Sequence, residues 1–197
     1  MKITSFNVNG IKARISTVLR WLQEAKPDVV VLQEIKSTSE MFPKNEIEDL
    51  GYNVALNGQK GFNGVAILSL FPIDLISTGL DGNPLDQQSR WIEAEIHGLQ
   101  ICGLYLPNGN PRPGPKFDYK IEWLDRLYKK ATLLIEAEIP TVMLGDFNII
   151  PQQQDAANPQ LWEDDALYHY EARSRFRRIM NLGFIDALRT LHPKEKS

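Results

Sequence analysis

Three apolar, strand-like segments of this chain end on side chains that carry only oxygen and amide groups. Val142-Met143-Leu144-Gly145 runs into Asp146, Phe147 and Asn148, residues 2–7 end in Asn7 with Asn9 two places on, and Val29 to Gln33 is followed by Glu34. A strand alternates its faces, so Asp146 and Asn148 can share one side while Phe147 packs behind them. Carboxylates and amides suit a hard cation such as magnesium, with manganese as a substitute, because such ions take oxygen ligands and keep room for water and a substrate phosphate. The residues do not suit zinc: there is one cysteine, and His97, His169 and His192 lack ligand spacing. An acid after one apolar run could equally open a turn or cap a helix. Three such ends in one chain point to a site.

Strands are needed to carry these ends, and the apolar pattern supplies them. Val29 to Leu32 and Val142 to Leu144 are continuous apolar runs, as in strands covered on both faces. Ile92, Ala94 and Ile96 alternate with Glu93, Glu95 and His97, which predicts a strand with one wet face. Residues 52–56, 65–70 and 99–106 supply further strands. Residues 15–25 and 117–138 read as helices, the second with Ile121, Leu124, Leu127, Tyr128, Ala131, Leu134 and Ile135 in one stripe. A last helix near residues 172–182 is expected to stop at Gly183.

The 197 residues, 43% hydrophobic and 24% charged, fit one soluble domain, 1–197. No apolar run reaches the roughly 20 residues of a membrane span, and the first strand begins too early to leave room for a secretory signal, so a cytoplasmic protein is expected. Cys102 falls in an apolar stretch and reads as buried and inert. With 22 basic residues against 25 acidic ones the net charge is −3, so no overall basic field announces a nucleic acid. A polyanion can still bind where basic residues gather locally. The proline-rich segment 108–115 reads as a stiff exposed loop, with Arg112 and Lys116 as unspecific backbone contacts, and residues 151–165 as a longer loop. Arg173, Arg175, Arg177 and Arg178 spread around a helix whose inner side is Phe176, Ile179 and Met180, which reads as a solvated structural face.

Five motifs in order then carry a resemblance. They are Ser5-Phe6-Asn7-Val8-Asn9-Gly10, Leu32-Gln33-Glu34-Ile35-Lys36, Gly58-Gln59-Lys60-Gly61-Phe62-Asn63-Gly64-Val65-Ala66, Tyr105-Leu106-Pro107-Asn108-Gly109 and Leu144-Gly145-Asp146-Phe147-Asn148. From Met1 to about His192 the chain resembles the exonuclease III family of DNA repair nucleases, which includes the abasic-site endonucleases. The resemblance implies an α/β fold: a four-layer α/β/β/α sandwich of the endonuclease/exonuclease/phosphatase type, with the site where strand tips meet. It implies Glu34 as the principal magnesium ligand with Asn7 and Asn9 beside it, Asp146 as the group that orients or deprotonates water, and Asn148 holding Asp146 or the phosphate. Tyr105 and Asn108 would contact the scissile phosphate. Lys60, Phe62 and Asn63 match a loop that touches DNA, although a glycine-bordered hairpin with Phe62 over the sheet edge would look the same. Lys36 is a candidate for phosphate, for pairing with nearby acids or for simple solvation.

The activity implied is metal-dependent hydrolysis of double-stranded DNA, from 3′ ends and on the 5′ side of abasic sites, with no membrane and no obligate protein partner. Two further family signatures, an Arg-Ile-Asp type strand and a final Ser-Asp-His segment, do not occur in these residues. The expectation is therefore a nuclease domain that is C-terminally incomplete, with its last strands missing. Two other readings stand beside it. One is a different phosphodiesterase or phosphatase of the same fold, and the other is a DNA-binding module with little catalysis.

Overall fold

In the computed structural model, which describes residues 1–193, the chain divides into two compact units. The first comprises Met1–Tyr105 and Ile139–Asp146, and the second Leu106–Glu138 and the residues from Phe147 onward.

In the first unit, β1 (Ile3–Asn7), β2 (Val29–Gln33), β3 (Asn53–Asn57) and β4 (Val65–Ser69) form one sheet in the order β1-β2-β4-β3. A second sheet takes β5 (Asp74–Ser77), β6 (Trp91–Ile96), β7 (Leu99–Tyr105) and β8 (Thr141–Asp146) in chain order. Among the described residues only β1 with β2 and β7 with β8 run parallel. The period of two sorts the side chains. Val30, Leu32, Ala66 and Leu68 pack with Val18 and Leu22 of α1 (Ile11–Ala25), while Val29, Val31, Val65 and Ile67 meet Ile92, Ala94, Ile96 and Ile101 of the second sheet. Every residue of β2 is buried. Because each fully buried Val or Leu contributes about 1.5–3 kcal/mol, its register is strongly set, and a one-residue slip would turn its neighbour Glu34 to the other face. The short helix α2 (Lys44–Glu48) adds Ile47 to the outer core.

The second unit holds α3 (Pro115–Glu136), α4 (Tyr170–Met180) and α5 (Ala187–Leu191). The predicted stripe of α3 is buried at Leu124, Leu127, Ala131 and Leu134, but Lys120 and Arg126 are buried with it. Of the α4 arginines, Arg177 and Arg178 are exposed as expected, whereas Arg173 and Arg175 are only partly so, and three of the four have defined partners. Arg175 binds Asp125 at 3.0 Å and Glu171 at 3.3 Å, Arg178 lies 4.4 Å over the Tyr128 ring, and Arg173 stacks on Tyr168. Long apolar stems and flat guanidinium heads let arginine pack where a charge count predicts solvent.

Three further expectations change. The outer side of β6 is wet at Glu95 but not at Glu93, which is fully buried and takes hydrogen bonds from Ser77 and Gln100. The unforeseen edge strand β5 supplies that serine. His97 sits after the strand at φ 55 and stacks on Phe71. The helix α4 ends at Met180, and Gly183 follows three residues later at φ 123. Cys102 is buried, as expected, and among the described residues no helix is long and apolar enough to cross a membrane.

Two substitutions probe this frame. Gly145 has φ 147, and a Cβ there would lie 1.9 Å from the Leu104 carbonyl oxygen. We expect Gly145→Ala to force β8 away from β7 and cost about 3 kcal/mol or more, at the upper end for overpacking, read as a fall in denaturation midpoint. His169, just before α4, has a buried Nδ1 with no hydrogen-bond partner among the described residues. Burial, helped by the Arg112 charge and opposed by Glu171, lowers its pKa from 6.5. The unfolded chain therefore binds this proton more readily than the folded one. The stability contribution is full above pH 6.5 and is lost as pH falls through the depressed folded value. Denaturation midpoints measured downward from pH 8 should fall less in His169→Gln than in the parent.

Candidate active site

The pairing of β1 with β2 places Asn7 opposite Gln33, one residue before Glu34, and the pairing of β7 with β8 places Tyr105 opposite Asp146. Four strand tips thus meet in the first unit. The Asn7 amide NH2 donates to Glu34 Oε1 and to Asp146 Oδ2, both at 2.9 Å. Its Oδ1 accepts from the Asn9 backbone N–H at 3.0 Å. Lys36 Nζ lies 2.9 Å from Glu34 Oε2 and also reaches the Asn9 side-chain oxygen. The Tyr105 hydroxyl donates to Glu34.

These contacts set the protonation states. Burial works to raise the Glu34 pKa, but hydrogen bonds from Asn7, Lys36 and Tyr105, with the Lys36 charge, outweigh it and hold the carboxyl below its usual value. Burial pushes Tyr105 up to about 12, with the Glu34 charge and hydrogen bond and the Asp146 charge adding, and the Arg90 charge opposing. Tyr105 is thus a proton donor at neutral pH and Glu34 an anion.

Glu34 and Asp146 are hard oxygen donors that fit magnesium in kind. Among the described residues no group of three or more His, Cys, Asp or Glu side chains could hold a metal ion. Two carboxylates of this kind leave room for a cation to take further ligands from water and substrate. Asn7 turns its NH2 and not its oxygen toward the carboxylates, so it could ligate only with its amide turned over.

The loop between β3 and β4 divides by exposure. Lys60 is exposed and Phe62 is 57% exposed, too open to serve as cover for a sheet edge, whereas Asn63 is 4% exposed. The Asn63 amide donates to Gln59 Oε1 at 3.0 Å and Gln88 Oε1 at 3.2 Å. Gln88 in turn accepts from Arg90 Nε at 2.8 Å. In the second unit Asn108 and Asn148 come together, the Asn108 amide 3.5 Å from Asn148 Oδ1, and Asn148 Nδ2 donates to the Leu106 carbonyl. Lys120, fully buried, donates to the backbone carbonyls of Asn108 at 3.0 Å and Asn148 at 2.5 Å. Arg112 is tied to the carbonyls of Glu163 and Asp164 and to the Asp164 carboxylate. Sequence reasoning missed Arg90 and Lys120. Arg90 stands directly before the apolar run of β6, and Lys120 falls one place from the α3 stripe, so each reads as an ordinary surface charge.

The chain matches the model of the Endonuclease/Exonuclease/phosphatase family over residues 4–186. It is 32% identical to an exodeoxyribonuclease III of Haemophilus influenzae over 98% of this chain and 76% of that protein. It is also similar to the solved structure of an AP endonuclease from Archaeoglobus fulgidus, at 38% identity and TM-score 0.95, covering all of this chain and 76% of the other. A 3′ phosphatase, NExo, from Neisseria, solved bound to a product DNA hairpin, is 34% identical with TM-score 0.95 over all of this chain and 76% of that one. The α/β fold expected from the motifs is the fold these structures share with it. With strand tips bearing the motifs in family order and a match that runs nearly end to end, the chain belongs to the Endonuclease/Exonuclease/phosphatase family, among its nucleases of the exonuclease III and AP endonuclease type.

Proposed function

We propose that this protein is a magnesium-dependent hydrolase of phosphodiester bonds in double-stranded DNA. It would release nucleotides from 3′ ends and incise the backbone 5′ of abasic sites, leaving a 3′ hydroxyl. Both units would belong to one nuclease domain working in the cytoplasm. The observation that carries the reading is the Asn7 amide, which holds one oxygen of Glu34 and one of Asp146 at 2.9 Å from a single nitrogen. Support comes also from the relatives, whose names speak of exonuclease, AP endonuclease and a DNA product.

In this reading Glu34, kept ionised by its neighbours, is the metal ligand, and Asn9 lies beside it. Magnesium, once bound, would offset charge on the phosphate and leaving oxygens. Asp146, oriented by the Asn7 N–H, aims the attacking water and takes its proton. The protonated Tyr105 hydroxyl, which gives its one hydrogen to Glu34 in the free site, would turn it to the scissile group once substrate binds. Asn108 and Asn148 contact phosphate, supported by their amide chemistry and by Lys120, which fixes the backbone of both. Lys60 and Phe62 are exposed to meet the duplex, with Lys36 a second cation near the site.

The deciding experiment offers the chain an end-labelled duplex with one abasic-site analogue, with magnesium and with EDTA, and measures duplex binding alongside cleavage. Glu34→Gln should cut magnesium-dependent incision by roughly 100-fold or more, the loss typical of removing a charge that stabilises the transition state. Asp146→Asn should cost about 100- to 10,000-fold, the range for a general base. Near-normal incision in both would sink the assignment. Turnover of phosphoinositide or poly(A) in place of the duplex would move the chain to another phosphoesterase of this fold, and tight binding without product to a DNA-binding module.

A further inference from the structure

Arg90 touches the Tyr105 segment in three ways. Its NH1 donates to the Tyr105 carbonyl at 3.1 Å, its guanidinium carbon lies 4.9 Å from the Tyr105 ring centroid, and its own carbonyl accepts the Tyr105 N–H at 2.9 Å. The backbone pair fixes where Tyr105 starts. The guanidinium fixes which way its ring turns, because a cation over an aromatic face is attracted by the ring quadrupole.

Arg90 has a second set of partners. Its Nε donates to Gln88 Oε1, the same oxygen that accepts from Asn63 Nδ2, and Asn63 also binds Gln59. Gln59 Oε1 accepts the Ser89 N–H at 3.0 Å, and the Ser89 hydroxyl returns to the Gly58 carbonyl at 3.1 Å. The loop that presents Lys60 and Phe62 is therefore joined by side chains to the residues just before β6. Asn63 sits at φ 53, a left-handed conformation, and its carbonyl accepts the Lys36 N–H at 3.0 Å. A displacement of the loop tip thus has a bonded route to Gln88, to Arg90 and to the ring that donates to Glu34.

We propose that Arg90 is a positioning residue that couples the Gln59 to Gly64 loop to Tyr105, so that contact at Lys60 or Phe62 is felt in the orientation of the Tyr105 hydroxyl toward Glu34. The consequence for catalysis rests on the nuclease reading above, whereas the coupling itself does not. Arg90 acts through Tyr105, and its removal leaves Glu34 and Asp146 with their Asn7 hydrogen bonds.

The experiment labels the tyrosine rings with 13C and identifies the Tyr105 signal by its absence in Tyr105→Phe. Asn63→Ala should shift the Tyr105 signal in the parent chain and leave it in place in an Arg90→Met background, while Arg90→Met itself shifts it and Arg90→Lys restores part of the change. If Arg90→Met does not fold, Gln88→Ala serves, with a smaller shift in the same direction. In the cleavage assay Arg90→Met should lower kcat roughly tenfold with KM little changed, the scale of a slightly misplaced catalytic group. Its added effect in a Tyr105→Ala background should vanish. An unmoved Tyr105 signal in folded Arg90→Met overturns the proposal, as does an Asn63→Ala shift that persists without the arginine. A chain that cuts no DNA but shows the predicted shifts keeps the coupling and loses only the nuclease reading.

Discussion

One primary amide holds the centre of this structure. The Asn7 NH2 has two hydrogens, and each goes to a different carboxylate at 2.9 Å, one on the sheet that contains Asn7 and one on the other sheet. No other side chain of that length does this: a lysine would bring charge, and an aspartate would add a third anion. The bond to Asp146 crosses between the sheets, so its length depends on everything that sets their spacing. Val29, Val31, Ile67, Ile92 and Ile101 are that spacer, each fully buried. Two stacked sheets ordinarily lie about 10 Å apart, too far for one short amide, so the bridge forms only where the strand tips lean together past the packed core.

The backbone around the tips shows what the convergence costs. Asn9, Glu34, Lys36 and Asn63 all lie at φ between 43 and 53. Asparagine tolerates this conformation, but Glu34 and Lys36 have no such tendency, and each such residue costs about 1–2 kcal/mol. Backbone hydrogen bonds hold them there: Gly10 N–H to the Glu34 carbonyl at 2.7 Å, Ile35 N–H to Gly64 at 3.1 Å, and Lys36 N–H to Asn63 at 3.0 Å. The left-handed step at Glu34 ends β2 and fixes the direction in which its carboxylate leaves the strand. Side chains at functional positions are where local preference yields to the arrangement of the whole.

Much of this was readable in the sequence for a simple reason. A strand with both faces buried declares itself as a run such as Val29 to Leu32, and the residue after it is then a strand end whatever the rest of the chain does. Glu34 could be named on that basis; Asn7 and Asp146 end strands that are only half-buried, β8 among them although its apolar run predicted cover on both faces, and the structure gathers all three with Tyr105 and Lys36. Roles that depend on a partner distant in the chain were not readable. Glu93 alternates with apolar neighbours like any exposed strand residue, and partners such as Ser77 and Gln100 make its burial tolerable. Lys120 is a charge on a helix until the carbonyls of Asn108 and Asn148 are seen to receive its ammonium. Pattern reports which face a residue occupies, whereas hydrogen-bond satisfaction decides whether a polar residue may be buried there.

The layer behind the strand tips is built from amides rather than charges, and chemistry explains the choice. Gln33 donates to the Val31 carbonyl while accepting from Ser5, Asn7 donates twice while accepting from Asn9, and Asn63, Gln59 and Gln88 continue the pattern. An amide gives and accepts at once, so a chain of them satisfies itself without placing net charge in low dielectric, where an unpaired ion is costly. Charge at the tips is then carried by Glu34, Asp146, Lys36 and Arg90, with Arg14 on the Asn9 carbonyl. Arg90 stands where the neutral layer meets the charged one, with one nitrogen on a glutamine and the plane of its head over the ring that donates to Glu34. The field at Glu34 is therefore set by few, fixed groups. A site whose reacting charges change during turnover needs such a surround, because dipoles already in place require no rearrangement when the charge arrives.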